Sequence, residues 1–213
     1  MDFNIILEYI KNNWTEILGA IFCLMYMIFQ YKASPRMWYV GFFMCIFNFI
    51  VYFDKGVYAM AAFQVYQFST AVYGLYVWKF GGKKSAENNS ENTTQKSTEQ
   101  PITKMTGKVF AITSLIILLI WVGTGFLLKS TTDSEVPWMD AFTLAVSCIA
   151  VWVLARKYLE QWWYWIAYDV CFIVLGLMSG MYFYAALSLV YAVIGVMGYM
   201  KWRKIYHESN GLR

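Results

Sequence analysis

The chain has 213 residues; 60% are hydrophobic, 20% are aromatic, only 14% are charged, and the net charge is +4. A soluble domain carries about 25% charged residues, so this composition excludes a water-soluble globule. The apolar runs are continuous, without the strict alternation of a barrel strand, which leaves a bundle of membrane-spanning helices.

The first 13 residues carry Asp2, Glu8 and Lys11 and lead to no small-residue cleavage site, so no cleavable signal peptide is expected. Runs of 16 to 24 residues then recur, near the 20 or so that a helix needs to cross the hydrocarbon core. They predict seven spans at about 14–31, 38–53, 57–80, 108–128, 138–155, 162–178 and 181–202. Between the third and fourth lies GGKKSAENNSENTTQKSTEQPITKMTG, residues 81–107, too polar to bury a core and expected to be a mobile linker. Residues 205–213 form a polar tail.

Charge supports the count of seven. With seven spans, 14 of the 17 Lys and Arg fall on the side of the C-terminal tail, and only Lys11, Lys55 and Lys129 on the other. Cytoplasmic loops are enriched in Lys and Arg, so the N-terminus is expected outside and the C-terminus in the cytoplasm. Six spans would scramble the asymmetry. The glycosylation patterns at Asn88-Asn89-Ser90 and Asn92-Thr93-Thr94 then lie on the cytoplasmic side and read as chance. The net charge therefore needs no nucleic-acid partner.

Sliding the chain against itself by 124 residues brings Trp14, Trp38 and Trp78 onto Trp138, Trp162 and Trp202, and Gly56 and Gly74 onto Gly180 and Gly198. No gap is needed. The expected organisation is a three-helix repeat over 1–80, the linker 81–107, a linking helix 108–128 and a second three-helix repeat over 138–204. Four spans separate equivalent positions, so both repeats enter the membrane from the same side. Such parallel 3+1+3 repeats are the architecture of sugar transporters of the SWEET type, with substrate near the midplane.

Several chemistries are disfavoured. Cys23, Cys45, Cys148 and Cys171 lie in apolar runs without CxxC spacing and read as small apolar residues. The single histidine, His207, is in the tail, so no metal site and no cofactor is expected. GGKKS at 81–85 does not complete a P-loop. No lysine stands at 181–200 for a retinal, and no catalytic cluster lies near an interface, so the chain does not read as an enzyme.

The polar exceptions within the spans are the candidate site. Asp169 lies seven residues into the sixth span, about 10 Å deep, where an ionisable group is costly unless paired, hydrated or neutralised. No Lys or Arg stands at the middle of another span. Three readings stay open: a protonated structural carboxyl, a proton relay, or a carboxylate facing a cavity that receives a cation. Trp162, Trp165 and Asp169 share a helix face, and indoles beside one carboxylate suit a flat organic cation. On the third span, Gln64 and Gln67 share a face, followed by Ser69 and Thr70. Gln offers a donor and an acceptor to a ligand amide or hydroxyl, or bonds between helices.

ARKYLEQWWYWIAYDV at 155–170 resembles the sixth-span signature W-x-x-W-x-x-x-N/D of the PnuC family of vitamin transporters. FQVYQFSTAVYGLYVW at 63–78 resembles that family's third-span pattern, a Gln followed by Y-G-x-Y-x-W, which includes Tyr73. The resemblance extends over nearly the whole chain. It implies facilitated diffusion of an unphosphorylated vitamin precursor across the bacterial inner membrane, often nicotinamide riboside for NAD biosynthesis, with a cytoplasmic kinase trapping the product. It implies that Trp162, Trp165 and Asp169 bind the ring and that Gln64 contributes, with Gln67 and Tyr73 beside it, and it admits a homo-oligomer. Nicotinamide riboside members often have Asn at the positions of Asp169 and Ala71. Thiamine, also a cation, is the second candidate substrate, and a neutral sugar the third.

Overall fold

The computed structural model describes residues 14–54, 58–88, 99–131, 136–178 and 182–211. Seven α-helices occur among these residues: α1 (Trp14–Tyr31), α2 (Arg36–Asp54), α3 (Tyr58–Asn88), α4 (Gly107–Thr131), α5 (Pro137–Ala155), α6 (Gln161–Met178) and α7 (Tyr182–Ser209). By length and hydropathy alone, α2, α4, α5 and the part of α7 from Ala185 are long and apolar enough to cross a membrane. The repeat-paired Gly56 and Gly180, most of both glycosylation patterns and the N-terminal 13 residues lie outside the described residues.

The chain divides into two units, Met1–Gln100 and Pro101–Arg213. In the first, α2 packs against both α1 and α3. Trp38, near the start of α2, and Trp78, on α3, are almost wholly buried and meet edge to face at 5.6 Å. Trp38 lies so close over α3 that a Cβ on Gly74 would stand 2.4 Å from its ring. Only glycine leaves room for that approach.

The second unit repeats the device. Trp162 on α6 meets Trp202 on α7 edge to face at 5.8 Å, and a Cβ on Gly198 would stand 2.5 Å from the Trp162 ring. Here α5 is the buried helix. Its alanines Ala141, Ala145, Ala150 and Ala155 are fully covered, and such small side chains let neighbouring helices come close. Val146, Ile149, Ala150, Val153 and Tyr164 form its core, flanked by Trp152, Trp165 and Tyr168. The Thr113 hydroxyl on α4 lies 2.8 Å from the Tyr164 hydroxyl and within reach of the Val109 and Phe110 carbonyls, which ties α4 to α6.

The turns repeat as well. After α1, Ala33 takes a left-handed conformation (φ 52°), its N–H bonds the Gln30 carbonyl and the Ser34 N–H bonds the Phe29 carbonyl. After α5, Lys157 does the same (φ 59°), with bonds from its N–H to Leu154 and from Tyr158 to Val153. Both are the crossed pair of bonds that closes a helix C-terminus, normally around glycine. The two left-handed residues are themselves 124 positions apart.

Two departures from the sequence expectation lie on polar stretches. α3 continues to Asn88, past the expected end at 80, and α7 continues to Ser209; the backbone ladder does not need an apolar environment to continue. Part of the expected linker is also tied down. The Leu159 N–H bonds the Thr103 carbonyl at 2.9 Å, the Met105 N–H bonds the Glu160 carboxylate at 2.8 Å, and Ile102 is buried. Residues 89–98 lie outside the described residues.

Gly74→Ala and Gly198→Ala should each cost about 1–3 kcal/mol through overpacking. In a chain of this size that is a melting-temperature fall of about 2–4 °C per kcal/mol, measurable in detergent. Ala33→Gly should move it up, by as much as about 1 kcal/mol, because the left-handed conformation is free of penalty for glycine.

Candidate functional site

The stretch 162–169 of α6 carries the aromatic–acidic face. Trp162, Ile166 and Asp169 fall within about 60° of one another around the helix, and Trp165 stands about 60° to one side of Trp162. Trp162 is held by the Gly198 and Trp202 contact. A Cβ on Gly195 would stand 2.9 Å from Ile166, so α7 also approaches α6 closely one turn further in. Trp165 is half-buried and edge-on to Tyr168 at 6.0 Å. The indole N–H groups of both Trp162 and Trp165 are buried without a hydrogen-bond partner among the described residues.

Asp169 is 6% exposed. Among the described residues no hydrogen bond or ion pair reaches its carboxylate; the one ion pair found there is Lys204–Glu208, far along α7. A buried charge without a partner costs several kcal/mol even after the surroundings relax. This is the energetic position of a group kept for something other than packing.

On α3, Gln64 is 5% exposed, and its side-chain oxygen is buried with no partner among the described residues, a desolvation cost of about 1–3 kcal/mol. Gln67 is half-buried about 60° around the helix from it. Ser69 and Thr70 do not present free hydroxyls: they bond back to the carbonyls of Val65 and Tyr66. Tyr73 stands on the other side of α3, about 180° from Gln64, and is exposed. The fold thus keeps Gln64 and Gln67 on adjoining faces and sets Tyr73 apart from them.

A cysteine that reads in the sequence as a small apolar residue lies beside Gln64. Cys45, a free thiol on α2 that is 2% exposed, lines a cavity of about 310 Å³ together with Gln64, Phe49 and Phe68. Its apolar setting in the sequence hides it, because the cavity forms only where α2 and α3 pack together. The other thiols are free too, and Cys23 accepts a long bond from Asn48 at 3.8 Å.

Four helices long and apolar enough to cross a membrane, packed with helices that carry buried polar groups, define a helical membrane protein. The family model for nicotinamide mononucleotide transporters matches residues 13–204, and the chain belongs to that family, the PnuC family of vitamin transporters. It is 23% identical over 201 residues to the nicotinamide riboside transporter PnuC of Escherichia coli K12, covering 85% of this chain and 80% of that protein. It is also 23% identical over 193 residues to the riboflavin/roseoflavin transporter RibM of Streptomyces davaonensis, covering 89% and 84%. The crystal structure of the vitamin B3 transporter PnuC superposes with a TM-score of 0.68 over 96% of this chain and 87% of that one; at 16% identity the likeness is one of fold.

If the Asp169 carboxylate has no structural partner, Asp169→Asn should leave the melting temperature of the ligand-free protein unchanged or a few degrees higher, by the same 2–4 °C per kcal/mol. A fall of more than about 5 °C in a detergent melt would reveal a structural bond to the carboxylate instead.

Proposed function

We propose that this transporter carries an unphosphorylated, positively charged vitamin precursor, nicotinamide riboside first and thiamine second, by facilitated diffusion with alternating access. The observation that carries the proposal is Asp169: a buried carboxylate without a partner among the described residues, on the same helix face as two indoles. A pyridinium or thiazolium ring answers both features. Its charge meets the carboxylate, and its flat face meets the indoles by cation–π attraction. Trp165 is the contact residue in this reading. Trp162, locked between Gly198 and Trp202, holds the face in place and offers its edge. Gln64 and Gln67 accept from, or donate to, the carboxamide, amine or hydroxyl groups of the ligand. Tyr73 belongs to the reading through the Y-G-x-Y-x-W resemblance alone.

The relatives named for nicotinamide riboside and for riboflavin handle one charged and one neutral vitamin. The charged class is preferred here because a neutral isoalloxazine leaves the Asp169 carboxylate uncompensated. The same argument places a neutral sugar last.

The reading has an architectural side. α1–α3 and α5–α7 form two three-helix repeats joined by α4, the 3+1+3 order of SWEET-type proteins. The supports are the shared indole–glycine–indole device and the shared left-handed turns. All seven helices span the bacterial inner membrane, with the N-terminus outside and the C-terminus in the cytoplasm, on the strength of the Lys and Arg distribution. With no energising module in the chain, net flux follows the substrate gradient, and a cytoplasmic kinase that phosphorylates the product sustains uptake.

Titrating the purified protein with nicotinamide riboside, thiamine and riboflavin, each followed by tryptophan fluorescence, tests the reading. Saturable quenching by a cationic vitamin, weakened at least tenfold in Asp169→Asn and in Trp165→Ala, is the expected result. Quenching by riboflavin alone, unchanged in Asp169→Asn, would transfer the protein to the neutral-vitamin class. In proteoliposomes, accumulation of unmodified vitamin against its gradient would contradict facilitated diffusion.

A further inference from the structure

The segment that leads into α4 is fastened across one end of the second unit. The Thr103 N–H bonds the Lys157 carbonyl at 3.2 Å and the Leu159 N–H bonds the Thr103 carbonyl at 2.9 Å, which pairs Thr103 with Tyr158 as a parallel bridge. The side chain before it, Ile102, is buried. Two residues on, the Met105 N–H bonds the Glu160 carboxylate at 2.8 Å, a charge-assisted bond of the stronger kind. The Met105 sulfur lies 3.9 Å from the Tyr164 hydroxyl. The Lys104 ammonium stands over the Tyr206 ring of α7, 5.2 Å from its centre. Residues 101–106 thus grip the α5–α6 turn, the first turn of α6 and the end of α7, and α4 starts directly after them.

Among the described residues the first unit shows no such grip, and its sequence forbids the same one. The 124-residue offset sets Pro35 at the register of Leu159 and Arg36 at that of Glu160. Proline has no N–H to give to a strap, and a guanidinium accepts no hydrogen bond. The backbone bonds of that turn stay within residues 28–38, and the Arg36 N–H bonds the Ser34 hydroxyl nearby at 3.4 Å. Lys157 and Leu159 are buried, whereas Ala33 and Pro35 at the same registers are half-buried.

We propose that residues 101–106 are a clip that keeps this end of the second unit rigid throughout transport, so that rearrangement at this side of the membrane falls on the first unit's turn at 31–37. Elements that move are drawn from the less secured parts of a fold. Of two turns related by the repeat, only the second is secured by a segment outside its own helices. The entry of α6, and with it the face of Trp162, Trp165 and Asp169, is then the fixed side of the cycle. The inference rests on the reading of alternating access and adds which of the two equivalent turns stays still.

A disulfide across the bridge tests this. Paired residues of neighbouring strands lie about 4.8 Å apart, within reach of a disulfide. Thr103→Cys and Tyr158→Cys are introduced into a chain carrying Cys23→Ala, Cys45→Ala, Cys148→Ala and Cys171→Ala. Uptake of nicotinamide riboside, thiamine and riboflavin into proteoliposomes is compared before and after oxidation of the same sample. The oxidised chain should keep at least half the rate of the reduced one; a fall below half means that the strap must open, and overturns the proposal. Hydrogen exchange of the unaltered chain, with and without each vitamin, gives the second readout and decides alone if the reduced variant carries nothing. Exchange at 32–38 should change at least threefold with a vitamin that is taken up, and exchange at 103–105 and 157–161 less than twofold. Any other pattern overturns the clip. If the unaltered chain takes up no vitamin, the transporter reading fails by itself, and exchange without ligand decides. Amides of Thr103, Met105 and Leu159 at least tenfold slower than in an unstructured chain support the clip, and faster exchange removes it.

Discussion

An indole ring lying directly on a glycine is the constraint around which each unit is built. Trp38 on Gly74 and Trp162 on Gly198 bring α2 against α3 and α6 against α7 more closely than any other side chain at 74 or 198 would allow. In a bilayer there is little hydrophobic force between helices, and close packing of this kind holds them together instead. The second indole of each unit, Trp78 or Trp202, closes the contact edge to face, an arrangement that favours the positive ring edge against a negative ring face. Everything proposed about function is positioned from this point. Asp169 lies two turns further along α6 than Trp162, and Cys45 the same two turns beyond Trp38.

The left-handed turns serve the same end. Ala33 and Lys157 reverse the chain within a few residues of the indole, so each tryptophan enters its helix at a fixed place. In the second unit, the strand-like segment through Thr103 is bonded to the residues just after that turn. The entry to α6 is thus held from two sides, and this is the helix that carries the buried carboxylate.

Much of this was legible in the sequence, for identifiable reasons. Apolar runs locate helices because only a closed backbone ladder survives in lipid, and the ends near Tyr31 and Ala155 coincide with observed ends. The buried positions of Asp169, Gln64 and Trp162 followed from polar or aromatic residues recurring on one helix face. What escaped was long-range or unmarked. Nothing in Ala33 or Lys157 signals a left-handed residue, since glycine is the usual sign. The pairing of Thr103 with Tyr158 joins residues far apart in sequence and looks like ordinary linker. The Y-G-x-Y-x-W pattern groups Tyr73 with Gln64, and helical geometry sets it on the other side. A thiol such as Cys45 among isoleucines and phenylalanines carries no mark in the sequence of the cavity beside it.

α4 stands apart from this scheme. Of its 25 residues only Thr113 and Gly125 are buried, the first bonded toward Tyr164 and the second beneath the ring of Trp138. Ile117 packs against the α5 core and the Trp121 indole N–H bonds the Trp138 carbonyl, but most of the other leucines, isoleucines and valines are exposed, and on a lipid-facing surface one aliphatic shape serves as readily as another. A helix in that position is free to drift. Its exposed positions can be exchanged among the aliphatics with no repacking within the unit, so a comparison of this chain with distant kin should find α4 recognisable by its greasiness and by these few packed points, and by little else.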